Sequence, residues 1–226
     1  MDDPRPKIAR VMSLVERHHP RAASLLELGC GTGTILAGLR SFERLTGIDR
    51  SPEMLAIARE KVPHARLIEG DIAAFELGER FDVVICVFDT LNHLPRFELW
   101  QALFARTRAH LLAGGLFIFD VNTVTKIHGL AGHGPWFFEA GAVTVAMNVD
   151  PPDADGLSQW NVWLIERHRN GRLSGIHEPI WELGVELHAI ARALGEAGFA
   201  LLETIDEEGE QPDEHSERVH FAARIA

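Results

Sequence analysis

The 226-residue sequence has no tyrosine. A phenol is therefore excluded as acid, base or hydrogen-bonding group in whatever chemistry the protein performs. Only two cysteines are present, Cys30 and Cys86, too few for a disulfide scaffold. No run of about 18 apolar residues occurs, so no membrane-spanning helix is expected. The opening residues, MDDPRPKIAR, lack the apolar stretch of a secretory signal, which makes a cytoplasmic location the expectation. Positive charge is scarce: 22 Lys plus Arg face 33 Asp plus Glu, a formal net charge of −11. Such a chain has no general attraction for phosphate backbones, so neither nucleic acid nor a membrane is expected as a partner. Metal-ligand spacing is missing too, since His18-His19, His128 and His133 form no such pattern, and no metal is expected.

What is present is a globular composition, 46% hydrophobic and 24% charged, on a length that allows one large domain or one domain with an insertion. The acidity is uneven. Eight acidic residues fall between Glu203 and Glu217 with no Lys or Arg among them, and removing these eight charges from −11 leaves −3 for the rest. The charge is thus largely that of one solvated loop.

Over the first 125 residues, short apolar runs alternate with helix-like stretches. Ile8, Val11, Met12 and Val15 recur at helical spacing and predict an opening helix ending near His18 and His19. Segments 24–28, 45–48, 65–69, 82–87 and 116–121 read as buried strands. Helices are predicted over 35–40, 53–61 and 97–112, the last stopped by Gly114 and Gly115. Ser51 is the expected N-cap of the 53–61 helix, with Pro52 at its first position. Between 124 and 183 helical periodicity fades. Four strand-like stretches (135–139, 143–149, 158–167 and 173–183) are separated there by turn signals that include Asn170-Gly171. A helix over 185–197 and strands at 200–205 and 218–225 then resume the parallel order. The expected fold class is α/β: a doubly wound, Rossmann-like, mostly parallel seven-stranded sheet with an antiparallel β cap inserted after the fifth strand. Residues 1–123 and 184–226 would form the sheet domain and 124–183 the cap.

The sharpest motif is Glu27-Leu28-Gly29-Cys30-Gly31-Thr32-Gly33, at the first strand-to-helix turn. Glycines at alternate positions let the backbone bend sharply and approach a ligand closely. Alone the turn is ambiguous, because dinucleotide-binding folds use a similar one, and a dinucleotide-dependent oxidoreductase is the rival reading. Asp49 ends the second strand, where a carboxylate can accept two ribose hydroxyls, and Gly70-Asp71-Ile72 follows the third. All three sites fall at carboxyl ends of adjacent strands, where open α/β sheets bind ligands.

Further segments join these: Gly47-Ile48-Asp49-Arg50-Ser51-Pro52-Glu53-Met54-Leu55, Glu69-Gly70-Asp71-Ile72, Phe81-Asp82-Val83-Val84-Ile85-Cys86 and Leu111-Leu112-Ala113-Gly114-Gly115. In this order they resemble the class I S-adenosylmethionine (SAM)-dependent methyltransferases, in the small-molecule branch that includes amino-sugar N-methyltransferases. The resemblance implies SAM as cofactor and S-adenosylhomocysteine as product. It further implies that Gly29, Gly31 and the neighbouring backbone, Cys30 included, hold the methionine part, with Glu27 organising its amino-acid end. Asp49 would take the ribose, Arg50 and Met54 would flank the adenine, and Asp71 with Ile72 would bind its edge. The backbone of Val87 would face the sulfonium.

The reaction is decided at Cys86-Val87-Phe88-Asp89-Thr90-Leu91-Asn92-His93-Leu94, which lacks the Asn/Asp-Pro-Pro-aromatic motif of exocyclic-amine DNA and glutamine methylation. By resemblance the acceptor is a small molecule methylated on N or O, with His93 orienting or deprotonating it and Asp89 close by. Small-molecule relatives often bring a tyrosine from the N-terminal segment over the donor, and this chain has none to bring. A SAM-binding protein without transferase activity is the third reading. In the cap, Trp136, Trp160, Trp163 and Trp181 cluster with Phe137 and Phe138. Strand alternation sets Trp160 and Trp163 on opposite faces. His168, His177 and Glu178 are the polar residues expected to offer contacts to the acceptor.

Overall fold

The computed structural model describes residues 3–225. A first helix α1 (Arg5–His18) precedes strand β1 (Ser24–Leu28), helix α2 (Thr34–Gly38), β2 (Arg44–Asp49), α3 (Pro52–Lys61), β3 (Arg66–Glu69) and β4 (Phe81–Cys86). A short 3₁₀ turn over Thr90–His93 leads to α4 (Phe97–Ala109), the long strand β5 (Leu111–Asn122) and α5 (Val124–Leu130). Four strands follow, β6 (Trp136–Ala140), β7 (Val143–Val149), β8 (Leu157–Arg167) and β9 (Leu173–Leu183). The chain closes with α6 (Leu187–Glu196), β10 (Phe199–Ile205) and β11 (Arg218–Ile225).

Seven strands form one sheet in the order β10-β11-β5-β4-β1-β2-β3. All neighbours are parallel except β11, which runs antiparallel to both β5 and β10 and so departs from the parallel order expected there. The other four make a separate antiparallel meander, β6-β7-β8-β9. Helices cover both faces of the large sheet, as parallel strands require. On one face Phe104, Phe117, Phe119 and Phe221 pack with Trp100 and α6. On the other, Val11, Leu14 and Val15 of α1 join Ile35, Leu36, Leu55 and Val87.

Local chemistry explains most element ends. Ser51 Oγ accepts the Met54 N–H at 3.2 Å and Pro52 follows it, so α3 starts where its cap residues dictate. Two departures from the sequence expectation are larger than a residue or two at an element end. Helix α4 stops at Ala109, because buried His110 turns the chain: its ring Nδ1 bonds Arg106 O at 2.8 Å and its carbonyl accepts Phe81 N–H at 2.8 Å. Strand β5 therefore begins at Leu111, and Gly114, at φ 72°, lies inside it opposite a register shift between Phe81 and Val83. The second difference is α5, a seven-residue helix in a region without helical periodicity, started by Thr123, whose Oγ1 accepts Lys126 N–H at 3.1 Å.

Candidate functional site

Loops at the carboxyl ends of β1, β2 and β3 and the turn after β4 converge on one cavity of about 430 Å³, within the roughly 300–1,000 Å³ range of small-ligand sites. Gly29, Asp49, Arg50, Asp71, Ile72 and His93 all line it. Residues chosen on two separate grounds, the glycine-loop motifs and the segment after β4, are thus brought together. Gly29 has φ 72°, and a Cβ there would collide with Thr90 Cγ2, so the first loop presses directly on the turn that carries His93. Only glycine meets both conditions. Asp49 is fixed by two backbone donors: Gly31 N–H reaches Oδ2 at 2.7 Å and Ser51 N–H reaches Oδ1 at 2.9 Å. Each carboxylate oxygen keeps a second lone pair for a ligand hydroxyl.

Other sequence-selected residues sit around the cavity rather than on its wall. Glu27 is 3% exposed, and its Oε2 has no hydrogen-bond partner. Burial raises its pKa well above the usual carboxyl range, a backbone hydrogen bond from Leu36 offsets part of this, and nearby Asp49 adds to it. Cys30 is buried, and a Cβ on Gly47 would fall 2.7 Å from its Sγ. Its thiol is pushed up by burial, consistent with packing. Val87 is buried, its carbonyl accepting Thr90 Oγ1–H at 2.7 Å, and Met54 is exposed on α3.

After β4 the backbone is strained: Phe88 and Asp89 are consecutive non-glycine residues at φ 62° and 50°. Such conformations cost about 1–3 kcal/mol each and persist only where the surroundings impose them. Arg218 of β11 is one constraint, with Nη2 2.6 Å from Asp89 Oδ1 and Nη1 2.6 Å from Asp120 Oδ2. Asp89 N–H donates to Asp120 Oδ1 at 3.2 Å. From α1, Lys7 Nζ stands 3.7 Å from the Phe88 ring centroid. Buried Asn92 completes the clamp: its Nδ2 donates to the carbonyls of Asn122 and Leu183, both at 2.9 Å, and its Oδ1 accepts Asn122 N–H at 3.0 Å.

His93 is thereby held at the cavity edge with its side chain 40% exposed. Its Nδ1 lies 3.2 Å from Trp181 O. A carbonyl only accepts, so Nδ1 carries the hydrogen and the neutral ring presents Nε2 as a base. Nε2 is 3.9 Å from Asp89 Oδ2.

From the cap side comes a residue that sequence reasoning missed. Glu182, at the end of β9, is 2% exposed and accepts Asn122 Nδ2–H at 2.8 Å. Burial first, and then the charge of Asp89, pushes its pKa from 4.5 up to about 7. The expected cap residues lie further along the same hairpin: His168 Nε2 pairs with Ser174 Oγ at 2.7 Å, His177 stacks on Trp163, and Glu178 is exposed. Neither these three, nor Glu182, nor Asp89 lines the cavity. Glu178 and Glu182 share a sheet face, so alternation alone could not choose between them. What separates them is that β9 rejoins the domain at Leu183. Arg218 and Asp120 were missed because their pairing joins residues 98 apart in sequence. Ligand atoms of Asp89, His93 and Glu182 fall within 4.8 Å of one another, a spacing a cation could bridge. Asp89 is also paired with the Arg218 guanidinium at 2.6 Å, a cation that competes with a metal for the same carboxylate.

The methyltransferase-domain family profile matches residues 25–115, the stretch holding every cavity residue named above. The dTDP-3-amino-3,6-dideoxy-alpha-D-glucopyranose N,N-dimethyltransferase of Streptomyces fradiae is 42% identical over 113 residues, covering 50% of this chain and 44% of that protein. The chain thus spans less than half the length of that relative. The dTDP-3-amino-3,4,6-trideoxy-alpha-D-glucopyranose N,N-dimethyltransferase of Streptomyces venezuelae is 29% identical over 175 residues, 77% of this chain and 68% of that protein. Among solved structures, a SAM-dependent methyltransferase from Clostridium acetobutylicum superposes with a TM-score of 0.92 at 21% identity, over 100% of this chain and 93% of that one. A SAM-bound amino pentose methyltransferase from Micromonospora echinaspora gives 0.82 at 24% identity, over 100% and 92%. The methyltransferase-domain profile thus covers the glycine loop, Asp49 and the turn after β4, and the seven-stranded order with its antiparallel β11 is the fold of solved SAM-dependent methyltransferases.

Proposed function

We propose that this protein transfers a methyl group from SAM to an amino nitrogen of a small acceptor, an amino sugar being the class the sequence relatives favour. The observation that carries the reading is the shared cavity, in which the nucleoside-binding motifs and an available histidine base face one space. The residues fit the cofactor. Gly29 leaves room that a Cβ would fill, Asp49 is oriented with lone pairs to spare, and the orphaned Glu27 Oε2 offers an acceptor beneath the loop. Asp49 would hold the ribose, Ile72 and Arg50 would flank the base with Asp71 at its edge, and the Gly29–Gly31 backbone would hold the amino-acid end. When bound, SAM supplies a methyl group on a sulfonium, with a neutral thioether as leaving group.

The chain contributes position and proton handling. Catalysis is mainly alignment, with the acceptor nitrogen held in line at about 3 Å from the methyl carbon. An ammonium has no lone pair to attack with, so a base is needed near neutral pH, and His93 Nε2 is that base. The 124–183 segment serves as the cap, its β9 end closing the acceptor side. A small-molecule acceptor, with no nucleic-acid or membrane partner, and a cytoplasmic setting complete the reading. No helix among the described residues is long and apolar enough to cross a membrane.

Two measurements test this. Calorimetry should show S-adenosylhomocysteine binding and no NAD binding, with Asp49→Ala weakening the former about 30- to 150-fold through loss of hydrogen bonds to a charged acceptor, about 2–3 kcal/mol. Mass spectrometry should then find methyl transfer to sugar-nucleotide amines in preference to phenols. NAD binding, or methylation confined to hydroxyl acceptors, would overturn the reading.

A further inference from the structure

We propose that Glu182, carried by the cap, is the charge partner of His93, and that the two together hold the proton an ammonium acceptor gives up before its nitrogen attacks. The inference rests on the amine-methyltransferase reading above and assigns Glu182 as a positioning residue acting through His93. Three features support it. The carboxyl group lies within 4.8 Å of a His93 ring nitrogen and of the Asp89 carboxylate. One of its oxygens is held by Asn122 Nδ2, and Asn122 is itself fixed through its backbone N–H and carbonyl by Asn92, one residue before His93. The adjacent carbonyl, Trp181 O, fixes the His93 tautomer, so consecutive cap residues address the same imidazole.

Asp89 is the nearer acid, with Oδ2 3.9 Å from His93 Nε2, but its Oδ1 is paired with Arg218, which also binds Asp120 and has Nε 3.6 Å from Glu207. Glu182 has no such pairing. The charges facing it are Asp89, which raises its proton affinity, and Lys126 of α5 and Arg218 of β11, which lower it; Asn122 is its neutral neighbour. Burial leaves it titrating at about 7, so near neutral pH it is divided between its acid and carboxylate forms. In its carboxylate form it is the counter-charge to a proton arriving on His93.

The step balances as follows. The acceptor N–H bond breaks, its electron pair stays on nitrogen, and the proton bonds to His93 Nε2. The imidazolium is neutralised by the Glu182 carboxylate, and the proton leaves to solvent over the exposed ring edge. Methylation of the freed amine regenerates an ammonium, so each further methylation requires the same removal.

The test is a pH titration of the His93 imidazole by ¹⁵N NMR, assigned with His93→Gln, in wild type and Glu182→Gln. The glutamine keeps an acceptor for Asn122. Loss of a carboxylate this close should lower the His93 midpoint by about one pH unit, a tenfold drop in proton affinity. The Glu182 carboxyl carbon, followed in wild type and His93→Gln, reports the same coupling from the other partner should one variant fail to fold. Neither readout needs an acceptor, so a wild type that methylates no amine would defeat the functional reading while leaving the coupling measurable. On a turned-over amine, Glu182→Gln should move the rising limb of kcat/KM with pH while S-adenosylhomocysteine affinity stays within about twofold. Superimposable His93 titrations would refute the pairing, as would saturable zinc binding that shifts the His93 resonance in wild type and is lost in Glu182→Gln.

Discussion

The two sheets are built on different terms. Strands β1 and β4 bury nearly every residue, whereas β9 is exposed along most of its length and becomes buried only at Glu182 and Leu183, where it rejoins the domain. The seven-stranded sheet is therefore held by two cores, one of which also takes in Leu183 and Leu157 at the base of the other sheet. The four-stranded sheet is held by a short junction against the turn at Thr90–His93 and by its own ladders. Stability is concentrated in the seven-stranded domain, and the proposed acceptor side draws on the part with less of it. This follows a general tendency for elements that must admit and release a ligand to come from the low-stability end of a structure.

Substitutions moving from domain to junction to cap should therefore have falling effects. The largest is expected at Arg218. Replacing it by Ala strands Asp120, which is 0% exposed, together with the strained Asp89, and should cost about 3–5 kcal/mol in urea unfolding. The double variant Asp120→Asn/Arg218→Met, which removes the uncompensated Asp120 charge, should recover a large part of that loss. A single-variant loss below about 1 kcal/mol would show that the domain does not depend on this pair.

At the junction the effect is smaller and depends on pH. The carboxyl of Glu182 titrates at about 7 in the fold against 4.5 for an unperturbed group. The folded state therefore binds the proton more tightly. Its contribution to stability is fully present below pH 4.5 and is lost as pH rises to about 7. Glu182→Gln removes this dependence, so its stability relative to wild type should rise by on the order of 3 kcal/mol between those limits. Parallel pH–stability curves would mean that the carboxyl is not held in a desolvated site.

The same contrast governs how much the sequence revealed. The large sheet was legible because burial on both faces forces continuous apolar strands, and because Gly29, Asp49 and Asp71 stand at fixed places after them. The cap strands were legible from their turns and alternation. Legibility failed where a contact joins residues distant in the chain. Asn92, Asn122, Glu182 and Arg218 are polar residues with no periodicity to mark them, and each acquires its role from a partner on another element. His110 shows a local version of the failure: one buried side chain ended α4 three residues before the point suggested by Gly114 and Gly115. Of the polar residues in 124–183 the sequence offered three, and the one buried near His93 is a fourth, Glu182, on the same strand as two of them.

At the far end of the cap the expected effect is close to nothing, and that makes it informative. Phe138, Val145, Leu164 and Ile176 form one row straight across the four strands, and Ile176 is 65% exposed. Ile176→Ser removes apolar surface that already meets water in the isolated chain, so unfolding free energy should change by less than about 0.5 kcal/mol. The same substitution in a covered row would cost much more, since fully burying an isoleucine is worth about 1.5–3 kcal/mol. The measurement therefore separates a cap whose outer row is free from one whose outer row is packed. Dilution discriminates further, because stabilisation from a second copy falls with protein concentration and stabilisation from within the chain does not. A near-zero, concentration-independent result would leave the junction around Asn92, Trp181 and Glu182 as the principal anchor of the four-stranded sheet, whereas a cost above about 1 kcal/mol would place a second anchor on its outer row.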